Sequence, residues 1–140
     1  MSANPAASII AWLLADTDVQ AVVGTRVYPR TLPDQGWPQL SVQQAVKVPG
    51  RSGQGQTQDA SFRCAVYCVG GDTPTGPDTS AAWSAAAAVE KAVGKVTDTP
   101  PIAQGWKIRA AEITTAGENV DPPTGWGMVT ITLELVVTPA

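Results

Sequence analysis

A chain of 140 residues and 14.5 kDa can close one core and bury about two-thirds of the surface its unfolded form exposes, so one domain over residues 1–140 is expected. Hydrophobic residues make up 44% and charged residues only 15%, which predicts a folded protein with a weakly charged surface of the kind that partners cover. The net charge is −3, with five Lys or Arg against four acids in residues 1–70 and four against eight in residues 71–140, and this excludes the basic footprint of a nucleic-acid or anionic-membrane binder.

In chain order, Asn4 and Pro5 open a helix: Asn caps it, and Pro fits a first turn where its missing N–H costs nothing. Ile9, Ile10, Leu13 and Leu14 recur at helical spacing beside Trp12, and Asp16 ends the run. The apolar stretch, about eight residues without a basic flank, is too short to cross a bilayer or direct export, so synthesis and use in the cytoplasm are expected. Asp18 then opens a second helical turn that Gly24 stops. Residues 25–32 read as a brief extended piece cut by Pro29.

Leu40, Val42, Gln44 and Val46 alternate in a strand whose Ser41, Gln43 and Gln44 suit a sheet edge. Residues 47–59 hold three glycines and no large apolar side chain after Val48, so they read as a long flexible connection, either disordered or kept for a partner. Residues 60–69 form the next strand, with Phe62, Cys64, Val66 and Cys68 on one face and Arg63, Ala65, Tyr67 and Val69 on the other; Gly70 and Gly71 end it. Thr79 or Ser80 caps an alanine-rich helix closed by Gly94, and Trp83, Ala86, Ala87, Val89, Ala92 and Val93 share about half of it.

Residues 106–116 are a third strand, joined by a connector at 117–125 to the clearest element, residues 126–138. There Val129, Ile131, Leu133, Leu135 and Val137 face one way, and Met128, Thr130, Thr132, Glu134 and Val136 the other. The sum is an α+β domain: one mainly antiparallel sheet of about four strands, with helices packed mainly on one side.

Chemistry is sparse. The absence of histidine removes the common general base, triad member and metal ligand. Cys64 and Cys68, four residues apart on a strand, would stand about 13 Å apart, beyond disulfide reach, and read as small buried groups. Most acids fall at caps and turns. Glu112 and Glu134 lie on strands expected to pair, so they could face each other as two carboxylates, or instead take Arg109 or Arg63 as cross-strand partners. The segment PGRSGQGQ lacks the G-K-[ST] ending of a phosphate loop and no helix follows it. No cofactor or metal site is predicted, and contact is favoured over catalysis.

Read whole, the chain resembles the tail terminator, or tail completion, family of long-tailed bacteriophages and prophages. The resemblance rests on an N-terminal helix running into LLADTDVQAVVGTRVYP, then PQLSV, a polar loop before FRCAVYCVG, an alanine-rich helix, and DPPTGWGMVTITLELVV with Asp121, Pro122, Thr124 and Gly125 before the closing strand. It implies a non-enzymatic virion protein, assembled in the host cytoplasm, that forms a hexameric ring on the head-proximal end of the tail tube. Such a ring stops tube polymerisation and joins the tail to the head connector. The partners implied are other copies of the chain, the tail tube protein, a connector or neck protein, and DNA that passes through the lumen without sequence-specific contact; no membrane is implied.

The partner interface is placed at Gly50, Arg51, Ser52, Gln54, Gln56, Arg63, Trp83 and Trp126. Arg26, Arg30, Arg51 and Arg63 either line a channel or form subunit salt bridges, and the second fits better because a sliding duplex is poorly served by adhesive cations. The alternative readings are another connector, neck or tube component, and a small ligand-binding domain or carboxylate-dependent hydrolase using Glu112, Glu134 or Cys64.

Overall fold

The structure, a computed structural model, describes residues 5–29, 36–48 and 60–139. Among the described residues three helices are followed or interrupted by eight strands: α1 (Pro5–Ala15), α2 (Thr17–Val23), β1 (Val27–Pro29), β2 (Gln39–Val42), β3 (Val46–Lys47), β4 (Ala60–Thr73), β5 (Gly76–Pro77), α3 (Thr79–Gly94), β6 (Ile102–Ala103), β7 (Trp106–Val120) and β8 (Gly127–Pro139). The α+β expectation holds, but the expected four strands become eight. The brief extended piece read at residues 25–32 contains β1, and Val46 of the strand read from Leu40 belongs to β3, while β5 and β6, two residues each, are too short to show a period and were not expected.

The sheet runs β1-β2-β4-β8-β7-β6, with β3 and β5 both paired to β4. All pairings are antiparallel except β1 with β2. The sheet curls, since the strands at its two ends, β1 and β6, both meet α1.

The inward side chains of β8, Val129, Ile131, Leu133, Leu135 and Val137, are buried as their alternation requires. They join Leu40, Val42, Cys64, Val66, Cys68 and Ile108 from the neighbouring strands and Ile9, Trp12, Leu13, Val19, Val23 and Val89 from the helices in one apolar cluster. All three helices therefore pack on the same face of the sheet.

Local chemistry corrects several expected boundaries. Asp16 rather than Asp18 caps α2, its Oδ2 accepting from the amides of Asp18 at 3.0 Å and Val19 at 3.1 Å. This cap lets the chain turn by 85° between α1 and α2. Asp78 rather than Thr79 or Ser80 caps α3, its Oδ1 accepting from Ala81 N at 2.9 Å, and α3 runs through Gly94 to a cap at Lys95.

The expected strand around Leu40–Val46 divides into β2 and β3. β7 continues past residue 116 to Val120, which shortens the expected connector to residues 121–126.

Gly70 and Gly71 do not end β4, which continues to Thr73 through an irregularity in register between Val69 and Gly71. Their glycines serve close approach instead. A Cβ on Gly70 would fall 1.9 Å from the Asp78 carbonyl oxygen, and one on Gly127 would fall 2.8 Å from the Asp78 carbonyl carbon. These two bare positions let the first turn of α3 lie directly on β4 and β8. The helix continues over the sheet on Ala82, Ala85, Ala86, Ala88, Val89 and Ala92, all buried. Trp83 and Ala87, grouped with Ala86, Val89, Ala92 and Val93 on one half of the helix, are exposed while Ala86, Val89 and Ala92 are buried, because a run of alanines offers no contrast from which to phase the helix.

Candidate interaction surface

Helices occupy one face of the sheet, so the other face is set by the second half of each alternation. Across β4, β8 and β7 it presents matched rows: Ser61, Val136 and Ala110; Arg63, Glu134 and Glu112; Ala65, Thr132 and Thr115. A further row reaches β2 as Ser41, Tyr67, Thr130 and Gly117. These side chains are mostly short or polar, and an ion pair crosses the strands from Arg63 to Glu134, with Nη2 at 3.0 Å and Nε at 3.3 Å from the same carboxylate oxygen. Of the two arginines considered as cross-strand partners, Arg63 pairs with Glu134. Glu112 and Glu134 are direct register neighbours, as their strands allowed, beside a shallow depression of about 260 Å³ that Ser61 and Ala110 also line.

One end of this face is closed by aromatic rings. Trp37 and Trp126 meet edge to face, with centroids 4.5 Å apart and planes at 64°. The Trp37 ring lies over Gly71, where a Cβ would fall 2.5 Å from it. Trp126 is held by a self-bonded turn: Thr124 Oγ1 donates to Asp121 Oδ2 at 2.6 Å and accepts from Trp126 N at 3.2 Å, while Asp121 N donates to the Trp126 carbonyl at 2.9 Å. Trp126 is half-buried in that arrangement.

Trp83 stands on the opposite side of the sheet, 42% exposed on α3, with its Nε1 donating to Glu118 Oε1 of β7 at 2.7 Å. Val120, 46% exposed, lies two residues along the same strand. From residue 114 on, β7 is exposed on both faces. β6 covers only its first two residues, so among the described residues the strand has a free edge over residues 110–120.

The remaining expected contact residues are placed as follows. Gly50, Arg51, Ser52, Gln54 and Gln56 lie outside the described residues, as does Arg30. Arg63 is more than half exposed on the open face. Arg26 is engaged within the chain, its guanidinium donating to the carbonyls of Pro38 at 3.0 Å, Val22 at 3.4 Å and Trp37 at 3.5 Å. The free edge of β7 was not anticipated, and nothing in residues 116–120 signalled it.

Two further features bear on chemistry. A groove of about 500 Å³ runs between α1, the end of α3 and β6, lined by Trp12, Asp16, Lys95, Val96, Pro101 and Ile102. Burial pushes the Cys64 thiol up to about 11 and the Cys68 thiol up to about 12, so both are poor nucleophiles at neutral pH. Among the described residues no group of His, Cys, Asp or Glu could hold a metal ion, and no single helix is long and apolar enough to cross a membrane.

An α+β domain with its helices on one side of the sheet, a low-charge open face and a strand edge unpaired among the described residues is the class that these features define. The chain belongs to the family described as Tail completion protein gp17, whose profile matches residues 7–138, a family of structural proteins of the bacteriophage tail. The fold is also that of a chain in a solved structure described as "Virion of native gene transfer agent (GTA) particle", with a TM-score of 0.72 and 18% identity over 96% of this chain and 95% of that one. A comparison with curated proteins finds no match.

Proposed function

We propose that the protein is a ring-forming tail terminator. In this reading six copies close into a ring at the head-proximal end of the tail tube, where the ring blocks further tube polymerisation and offers its other surface to the head connector or neck. The mechanism is geometric and not catalytic: one ring face matches the last tube ring and the other does not accept a tube ring. DNA passes through the lumen without sequence-specific contact.

Family membership over nearly the whole chain is the observation that carries the reading. The structure supports it by leaving a low-charge sheet face and a long strand edge available for contact. Arg63 on the open face, Trp83 beside the β7 edge and half-buried Trp126 remain the proposed partner contacts, together with residues 50–56. The chain acts as one domain and needs no cofactor.

The test is tube growth. Tail tube protein polymerising in vitro should give shorter tubes, capped at one end in electron micrographs, when this protein is added. Tubes of unchanged length with uncapped ends would refute the terminator reading.

A further inference from the structure

The sheet has two ends of different chemistry. At one end lie β1 and β3, drawn from the half of the sequence in which cations outnumber acids; at the other lies β7, from the half in which acids outnumber cations two to one. β3 carries Val46, 61% exposed, and the exposed Lys47. β7 carries Val120, 46% exposed, with Glu112 and Glu118 on its two faces and Trp83 beside it.

An exposed strand edge of this length is a template for another strand, and soluble proteins ordinarily shorten, charge or cover such edges. Here residues 110–120 contain neither proline nor lysine.

We infer that the free edge of β7, at its outer part around Glu118, receives the two-residue β3 edge of a second copy of this chain, extending the sheet from subunit to subunit. Pairing two β7 edges would set acid-bearing strands against each other, and like charges directly opposed across strands are unfavourable. Pairing β7 with β3 sets Lys47, in register with the inward-facing Phe62, towards Glu118 on the same, helix-bearing face of β7 beside Trp83. Because the two edges belong to opposite ends of one sheet, the contact is head-to-tail, the type that closes into rings rather than dimers. The inference rests on the ring reading above and names the surfaces that build it.

The experiment is hydrogen exchange of the full chain, read by mass spectrometry on dilute monomer, on assembled ring, and on ring bound to tail tubes. In the monomer, peptides within residues 110–120 should exchange fast at the amides pointing away from β8. On ring assembly the outward amides nearest Glu118 and those at residues 46–48 should slow by roughly tenfold or more, while β8 stays unchanged.

The charge reversal Lys47→Glu should weaken assembly, and Glu118→Lys in the same chain should restore it. A ring that forms without protection at residues 110–120 overturns this inference and leaves the ring reading standing. Protection that appears only with tubes assigns the edge to the tube protein and also overturns it. A chain that stays monomeric alone and with tubes removes the ring reading, and this inference with it.

Discussion

Arg63 on β4 and Glu134 on β8 are register partners, and both the Nε and Nη2 of the arginine donate to one oxygen of the carboxylate. On the far side of Glu134 stands Glu112 of β7. The row thus reads cation, anion, anion, and the arginine offsets part of the repulsion between the two acids.

Because the Arg63 side chain is 55% exposed, the pair adds little to stability: Arg63→Ala should cost less than about 1 kcal/mol in a urea titration. Glu112→Gln in the Arg63→Ala background should recover part of that loss. If Arg63 contacts a partner as proposed, the same variant should assemble poorly despite its near-normal stability.

The approach of α3 to the sheet is the most sensitive packing in the fold. Gly70→Ala would place a methyl group 1.9 Å from the Asp78 carbonyl oxygen, and α3 would have to lift from β4. A loss of about 3 kcal/mol is expected, with Gly94→Ala, whose Cβ meets nothing within 4 Å, as the control that leaves the packing intact.

Lys95 joins the end of α3 to the α1–α2 corner, its Nζ lying 2.9 Å from Asp16 Oδ1 and 2.6 Å from Asp18 Oδ2. The hydrogen bond from Lys95 holds the Asp18 carboxyl below its usual range, and Asp18 followed by Asp16 holds the Lys95 ammonium above its own. A lowered acid stabilises the fold above its unfolded pKa and loses that contribution as pH falls; a raised base stabilises below its unfolded pKa and loses it as pH rises. The difference in Tm between wild type and Lys95→Met should therefore be flat through neutrality. It should shrink below about pH 4 and above about pH 10.5, most clearly at low salt.

Both thiols are buried and free, and their raised pKa values leave little thiolate at pH 8. A disulfide-exchange reagent should modify neither in the native protein and both on unfolding in guanidinium. Fast modification of native Cys64 would show that the β4 interior opens.

Residues 50–58 are proposed as partner contacts. Their deletion should leave Tm close to that of the full chain and prevent docking to tail tubes in a pull-down. Normal docking by the shortened chain would remove the loop from the interface.

What the sequence made legible followed from contrast. The alternation of β8 identified its buried face residue by residue, because apolar and polar positions differ sharply there. The strand phases allowed Glu134 either Arg63 or Arg109 as a cross-strand partner, and the register supplies Arg63. α3 could not be phased, since alanine looks alike on both sides of a helix, and its direction was decided by Gly70 and Gly127 far away in sequence. Those glycines resembled strand ends for the same reason: a missing side chain signals either a stop or a close neighbour, and only the fold says which. The free edge of β7 was illegible because an unpaired edge depends on what lies beside a strand and not on the strand's own residues.

Native mass spectrometry of the purified protein, alone and then with preformed tail tubes, tests the central claim most directly. The account predicts a closed ring of one fixed copy number, formed alone or on tube ends, that does not grow into longer assemblies. A chain that remains monomeric with tubes present, or one that polymerises without limit into tubes of its own, would contradict it.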